Sequence, residues 1–226
     1  MMNNHTAIIV PVYNEAEVIG GVIKSLLKHF RYVICVNDGS KDNSSREILK
    51  TKAYLINHSI NMGQGAALQT GMEFARLLPV DYFITFDADG QHDIKDVMNM
   101  LGELQKNKYD IILGSRFLGH TAGINKMKIR TLKLAVKFSN LTTGLKLTDT
   151  HNGLRAFNRH VAETMRITMP DMAHASEILG IIAKNKFRYK EMPVTIKYTE
   201  YSKRKGQSVT NAVNIAFDII LGKLKK

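Results

Sequence analysis

The sequence predicts an α/β protein in which one mostly parallel, mixed sheet is flanked by helices. Short β-prone runs alternate with amphipathic helical patterns through the first half of the 226-residue chain, an order typical of βαβ units. The predicted strands are near-continuous apolar runs, which indicates a sheet covered on both faces. A chain of this length can bury one substantial core, or at most two small ones.

The first half supplies five strands and four helices in alternation. The predicted strands, rich in β-branched and aromatic residues, cover residues 7–12, 32–36, 53–56, 82–86 and 109–113. The predicted helices, with apolar residues at helical spacing, cover residues 15–28, 43–50, 65–77 and 94–106. Because right-handed crossovers join such strands, the sheet is expected to be mainly parallel.

The second half is less regular, but it shows no internal repeat and no interdomain linker. Its predicted elements are a helix over 125–140, an extended run over 154–157, a helix that carries Glu177 and a strand over 189–194. A basic, turn-rich segment over 198–208 and an amphipathic helix over 209–224 follow. The whole chain is therefore expected to form one domain.

The net charge of +12 lies in two segments. Residues 119–148 hold six basic and no acidic side chains, and residues 184–226 hold 11 basic and three acidic ones. Such asymmetry indicates a polyanionic partner, whether phosphorylated substrates, an anionic membrane surface or nucleic acid. Aromatic residues do not interleave with the basic ones as base stacking requires, so nucleic acid is the least favoured partner.

Cysteine content and hydropathy indicate the compartment. The single cysteine, Cys35, lies inside an apolar run and is expected to be a small core residue. No apolar run approaches the roughly 20 residues of a membrane-spanning helix, and no signal-peptide pattern is present. We therefore expect a protein of the reducing cytoplasm.

Polar turns follow all five strands, and four of these turns contain glycine. In open α/β sheets, ligands bind beyond the carboxyl ends of the strands. Asp87 and Asp89 come directly after the fourth strand, and carboxylate oxygens suit Mg²⁺ or Mn²⁺. Taken alone, the pair fits a solvated acidic turn equally well. Its position among four other polar turns favours a metal site, and Gly90 is misplaced for an EF-hand calcium loop.

Five motifs resemble those of family 2 glycosyltransferases in order and spacing. They are Pro11-Val12-Tyr13-Asn14-Glu15, Asn37-Asp38-Gly39-Ser40, Asn61-Met62-Gly63-Gln64-Gly65, Asp87-Ala88-Asp89-Gly90-Gln91 and Gly114-Ser115-Arg116. A later block, residues 149–157, is similar to one in dolichyl- and polyprenyl-phosphate sugar transferases. The resemblance covers residues 8–158 and implies the GT-A fold, a single Rossmann-like domain. It implies a nucleotide-sugar-binding half over 1–118 and an acceptor-binding half over 119–226.

The resemblance also implies where the donor and a divalent metal bind. The residues matched to nucleotide-sugar binding are Pro11, Tyr13, Glu15, Asp38, Gly63, Gly65, Asp87, Ala88 and Asp89. Asp38 would accept a hydrogen bond from the base, and the imino N–H of uracil or guanine would suit it, so the donor is a UDP- or GDP-sugar. Asp89 would bind Mg²⁺ or Mn²⁺ directly, Asp87 would contact ribose or metal, and Gln91 would be a further ligand.

On the acceptor side, Arg116 and Arg130 match cations that hold donor or acceptor phosphates. Lys205, in a basic loop with Lys203 and Arg204, could close over the acceptor phosphate. The implied reaction is one inverting displacement at the anomeric carbon, in which the metal stabilises the leaving diphosphate. A phosphate acceptor needs no strong base. A sugar hydroxyl does need one, and Asp149 and Glu177 are the carboxylate candidates.

The expected acceptor is a polyprenyl phosphate, dolichyl or undecaprenyl, at the inner face of the membrane. The alternative is a hydroxyl of a lipid-linked oligosaccharide or a cell-surface polysaccharide, and a nucleic-acid-binding module is a distant third. Helix 125–140 carries four cations on one face, Lys126, Arg130, Lys133 and Lys137. This face and the terminal helix could dock on anionic lipid. The terminal helix could equally pack in the core, and a small membrane-protein partner is a further alternative.

Overall fold

The computed structural model describes residues 2–119, 121–122, 126–171, 173–197 and 201. Its strands are β1 (Asn3–Val12), β2 (Phe30–Asp38), β3 (Tyr54–His58), β4 (Tyr82–Thr85), β5 (Ile111–Ser115), β6 (Thr121–Ala122), β7 (Arg155–Asn158), β8 (Tyr189–Pro193) and β9 (Ile196–Lys197). Its helices are α1 (Ile19–Leu27), α2 (Ser44–Leu49), α3 (Gln64–Arg76), α4 (Ile94–Leu104), α5 (Lys126–Thr143), α6 (Arg159–Thr164) and α7 (Ala173–Lys184).

Seven strands form one sheet in the order β3-β2-β1-β4-β7-β5-β8. Every pairing is parallel except those of β7, which runs antiparallel to both β4 and β5. The predicted mostly parallel, mixed sheet is thus confirmed. Because β7 is reversed, it begins at the edge where β4 and β5 end: Arg155 pairs with Thr85 and Leu113. Residues 149–154 therefore join the turns that follow the parallel strands.

Two apolar layers cover the sheet, as the continuous apolar strands predict. One face packs against α3, α6 and α7, and the other against α1, α2 and α4. Successive residues of β2 alternate between the layers, with Ile34 in the first and Cys35 in the second. Cys35 is fully buried, and burial raises the pKa of its thiol to about 12. The prediction that Cys35 is a core residue is confirmed.

Helix α1 begins at Ile19, four residues later than predicted. Asn14 has a left-handed φ of 55°, and side chains of the following loop capture the backbone here. Asn14 N–H donates to Ser40 Oγ at 2.9 Å and Glu15 N–H to Ser44 Oγ at 2.8 Å. These bonds replace a first helical turn with a polar turn at the carboxyl edge of the sheet.

Three short elements, α6, β6 and β9, were not predicted. The basic segment over 198–208 lies outside the described residues apart from Tyr201, and so does the predicted terminal helix. Within the described part of the chain, no helix combines the length and hydrophobicity needed to span a bilayer.

Candidate active site

Asp38 connects the turn after β2 with the loop after β3. Its carboxylate is buried and accepts hydrogen bonds from Met62 N–H at 2.9 Å and Gly63 N–H at 2.8 Å. His58 Nδ1 lies 2.7 Å from Asp38 Oδ1, and His58 Nε2 lies 3.0 Å from Thr70 Oγ1. The residue predicted to read the base therefore also fixes the shape of the loop after β3.

Gly63 and Gly65 are required by close packing at the start of α3. Gly63 has φ 91°, and a Cβ there would lie 2.6 Å from Asp171 N. A Cβ at Gly65 would lie 2.1 Å from Met169 O. In the structure, both glycines pack closely against the segment before α7, and this segment borders the site next to the start of α3.

Asp87 is held from several sides at the end of β4. Its Oδ1 accepts from Gln64 Nε2 at 3.2 Å, and its Oδ2 lies 3.0 Å from His92 Nε2. A Cβ at Gly153 would lie 2.2 Å from Oδ2, so the Gly153 backbone lies close against the carboxylate. Burial raises the pKa of Asp87, but the hydrogen bond from His92 and the charge of Arg155 outweigh burial and hold it below its usual value.

Asp89 has an electrostatic environment that suits a cation. Burial, the Asp87 carboxylate and the Glu15 carboxylate together raise the pKa of Asp89 to about 6. Gln91 N–H donates to Asp89 Oδ1 at 3.0 Å, and the buried side chain of Ala88 anchors the turn between the two carboxylates. A carboxylate that is destabilised by burial and by neighbouring anions gains most from a bound cation.

The residues present fit a hard divalent metal. Asp87, Asp89 and Gln91 offer oxygen atoms, which Mg²⁺ and Mn²⁺ prefer. Among the described residues, no group of three or more His, Cys, Asp and Glu side chains could hold a metal ion. The ligand set would have to include diphosphate or water oxygens, which is how proteins commonly bind Mg²⁺.

Arg116 and Asp149 form a buried ion pair after β5. Arg116 Nε donates to Asp149 Oδ2 at 2.6 Å, its backbone N–H donates to the same oxygen at 3.0 Å, and Nη2 donates to His151 O at 2.7 Å. Asp149 is only 3% exposed. The predicted phosphate-binding arginine is thus fixed in place, and the predicted base candidate is what fixes it.

Glu177, the other candidate base, caps the segment before α7. Its carboxylate accepts from Thr168 N–H and Met169 N–H, both at 2.9 Å, and from Thr168 Oγ1 at 2.6 Å. These hydrogen bonds give the Glu177 carboxylate a structural role, because its oxygens stabilise the loop 168–169.

A polar layer lies beneath the carboxylates. Arg155 is 3% exposed, and its Nη1 has no hydrogen-bond partner among the described residues. Burial, assisted by the Arg155 charge, lowers the pKa values of His151 and His174 to about 4 each. The two imidazoles are consequently neutral near pH 7, and Arg155 is the fixed cation near Asp87.

The other predicted site residues are more open. Tyr13 is 43% exposed, Pro11 is partly buried at the end of β1, and Arg130 is exposed on α5. Tyr201 Oη donates to Glu15 Oε2 at 2.6 Å, so Tyr201 lies beside the turn after β1. Lys205 lies outside the described residues.

Sequence reasoning missed four residues that surround Asp87. Gln64, His92 and Arg155 stand inside or beside the motifs, so their positions could have drawn notice. His174 carries no local signal, since only the packing of α7 on α3 brings it near Asp87.

A family model for glycosyl transferase family 2 matches residues 7–166. The chain belongs to this family. A relative from Methanococcus voltae, named UDP-N-acetylglucosamine–dolichyl-phosphate N-acetylglucosaminyltransferase, is 30% identical over 97% of this chain and 96% of its own length. An uncharacterized protein of Methanocaldococcus jannaschii is 32% identical over 96% and 91% of the two chains. An undecaprenyl-phosphate 4-deoxy-4-formamido-L-arabinose transferase of Shewanella sediminis is 27% identical, and the match spans 65% of that protein.

Solved structures show the same fold. Glucosyl-3-phosphoglycerate synthase from Mycobacterium tuberculosis, crystallised with Mn²⁺ and UDP-glucose, superposes with a TM-score of 0.72. It is 13% identical and covers 99% of this chain, which covers 79% of the synthase. This likeness confirms the predicted GT-A fold. Membership of glycosyl transferase family 2 identifies the protein as a glycosyltransferase.

Proposed function

We propose that this glycosyltransferase moves a sugar from a nucleoside-diphosphate sugar to a polyprenyl phosphate, with inversion at the anomeric carbon. The turns after β1, β2 and β4 would hold the donor, so residues 1–118 form the donor half of a single domain. Residues 119–226 would form the acceptor half. The Methanococcus voltae relative, whose name gives a UDP-sugar and dolichyl phosphate, supports both substrate classes.

The observation that carries this proposal is the commitment of both candidate bases to structural hydrogen bonds. Asp149 is buried against Arg116, and Glu177 caps residues 168–169. A sugar hydroxyl must lose a proton to a base, whereas a phosphate is already anionic near neutral pH. The geometry therefore favours a phosphate acceptor, for which positioning and charge neutralisation supply the rate.

The roles of the donor-side residues follow from their surroundings. Asp38 would accept the imino N–H of the base, with uridine the donor nucleoside that we favour. Asp89, with Asp87 and Gln91, would hold Mg²⁺ or Mn²⁺, and the bound metal would supply positive charge to the leaving diphosphate. Arg116, already oriented by Asp149, would present its guanidinium to a phosphate.

The membrane would be reached through the exposed face of α5. Arg130, Lys133 and Lys137 are exposed there, and Leu134 and Leu141 are 69% and 84% exposed. Each of these residues lies three or four positions from at least one other of them, so they share a broad helix face. Cations mixed with exposed leucines suit the interface of an anionic bilayer. A membrane-protein partner would be the second way to reach the lipid.

The test measures nucleoside diphosphate release by the purified protein with UDP- and GDP-sugars, a short polyprenyl phosphate and Mn²⁺. We expect release with one donor class, background rates in excess chelator and background rates for Asp89→Ala. Asp81→Ala is the matched control, because this 65% exposed carboxylate stands at the opposite end of β4 and should keep full activity.

Two outcomes would contradict the proposal. Full turnover in excess chelator would exclude the metal, and transfer to a sugar hydroxyl but not to polyprenyl phosphate would exclude the acceptor. In that second case Asp149→Asn should abolish transfer, since Asp149 would then be the base.

A further inference from the structure

A buried histidine behind Asp87 has no role in the function proposed above. The His92 side chain is 3% exposed and lies edge-on against Phe86, with ring centroids 5.4 Å apart. Its backbone pairs with that of Ile196, and the adjacent Gln91 carbonyl accepts from Lys197 N–H at 3.0 Å. Packing and backbone pairing thus define the position of the imidazole.

The two ring nitrogens of His92 have opposite environments. Nε2 lies 3.0 Å from Asp87 Oδ2, and Nε2 must be the donor because an ionised carboxylate only accepts hydrogen bonds. Nδ1 is buried without a hydrogen-bond partner in the described part of the chain. A buried polar atom without a partner is destabilising and needs an explanation. The explanation is that the same ring donates a hydrogen bond to Asp87 through Nε2, so the ring is kept in place although Nδ1 has no partner among the described residues.

The surroundings of Asp87 leave its orientation to two side chains. Gln64 Nε2 donates to Oδ1 at 3.2 Å, opposite the His92 bond. The Gly153 backbone leaves no room for a shift on that side, since even a Cβ would lie 2.2 Å from Oδ2. Arg155 contributes its charge from below, but neither Arg155 nor His174, both among the described residues, forms a hydrogen bond to Asp87. Rotation of the carboxylate is therefore limited by Gln64 and His92.

We propose that His92 is a positioning residue whose Nε2–H holds the Asp87 carboxylate in the orientation that binds the metal–diphosphate unit of the donor. The inference rests on the proposed function, because it assigns Asp87 to that unit. His92 itself would touch neither donor nor acceptor. Residues behind a metal site act in this way when they orient its ligands.

Two near-isosteric variants separate the hydrogen bond from the packing. In His92→Gln the amide nitrogen lies near the position of Nε2 and can still donate to Asp87. In His92→Asn the amide lies near Nδ1 and cannot reach Asp87. Binding of Mn²⁺ in the presence of UDP, and separately GDP, is followed by the electron paramagnetic resonance of free Mn²⁺. We expect His92→Asn to raise the Mn²⁺ dissociation constant about 10- to 100-fold and His92→Gln to restore most of the affinity.

The outcomes distinguish this inference from the proposed function. If the wild-type protein fails to bind Mn²⁺ both with UDP and with GDP, the proposed function and the role of His92 are both overturned. Wild-type binding that both variants retain, or that both lose equally while folded by thermal melting, overturns the role of His92 alone. If the variants do not fold, ¹⁵N chemical shifts of the wild-type imidazole decide: a protonated Nε2 supports the inference, and an unprotonated Nε2 overturns it.

Discussion

At the scale of single residues, Gly153 shapes the site through the side chain that it lacks. Its backbone lies against Asp87, and Thr85 Oγ1 donates to its carbonyl at 2.6 Å. The contact sets the distance between the end of β4 and the loop that precedes β7. Any larger residue would displace either the carboxylate or that loop.

We predict that Gly153→Ala lowers activity at least tenfold and stability by about 1–3 kcal/mol, the range for overpacking a tight site. Steady-state transfer rates and urea unfolding measure the two effects. Gly102→Ala is the control, since a Cβ there meets nothing within 4 Å and alanine is the better helix former by about 1 kcal/mol. Unchanged activity in Gly153→Ala would show that the contact with Asp87 is not needed.

Also at this scale, the sequence located ligands better than their partners. Asp87 and Asp89 were predicted from their place after a strand, because local sequence specifies strand ends. The role of Asp149 depends on its partner, Arg116, and the sequence does not reveal this pairing because Arg116 lies 33 positions away. Ion pairs between distant segments are set by tertiary packing, so the sequence could not choose between a base and an anchor.

At the scale of elements, α5 presents an exposed face in which leucines alternate with cations. An exposed leucine that enters the bilayer interface gains about 1.5–3 kcal/mol if fully buried, and each cation adds about 1 kcal/mol near anionic lipid. The leucines therefore carry the part of binding that salt does not screen.

We predict that Leu134→Gln with Leu141→Gln lowers partitioning to phosphatidylglycerol vesicles at least tenfold. Vesicle flotation measures the effect, and the residual binding should be more sensitive to salt. Leu77→Gln is matched, because Leu77 is 82% exposed at the end of α3, outside α5, and should bind like the wild type. Equal loss in Leu77→Gln would show that α5 is not the docking face.

Strand β7 shows which elements the sequence could not orient. Its extended run was predicted one residue early, but neither its reversed direction nor its place between β4 and β5 was. Strand direction within a sheet depends on which neighbours offer free backbone groups, and these come from residues 82–85 and 111–115. The start of α1 was also misjudged, because side chains of another loop capture the backbone there.

At the scale of the whole molecule, the buried histidines connect stability to pH. His151 and His174 have folded pKa values of about 4, below the ordinary value near 6.5. Above about pH 6.5 both are neutral whether the protein is folded or not. As the pH falls from about 6.5 to 4, only the unfolded chain takes up these protons, so stability is lost. Asp89, whose folded pKa is raised, acts in the opposite direction.

A variant isolates the share of one histidine. The His174→Asn variant can keep the hydrogen-bond donor to the Asp171 carbonyl. We predict that its free energy of unfolding falls by about 2 kcal/mol less than that of the wild type between pH 7 and pH 5. Urea unfolding without metal at the two pH values gives the difference. Identical pH slopes in both proteins would show that His174 is not buried as a neutral group.

The sequence by itself determined the fold class, the family and the edge of the sheet where the site lies. Strand and helix periodicity, glycine turns and the carboxylate pair are local signals, and local sequence encodes them. The tertiary structure alone decided that Asp149 holds Arg116, that Glu177 caps a loop, and that Gln64, His92 and Gly153 surround Asp87. The contacts of Asp149 with Arg116 and of Gly153 with Asp87 form only when the reversed strand β7 brings residues 149–154 to the ends of β4 and β5. The bonds of Asp87 to Gln64 and His92, and those of Glu177 to residues 168–169, span shorter stretches of sequence, but they too depend on how the chain folds between the two partners.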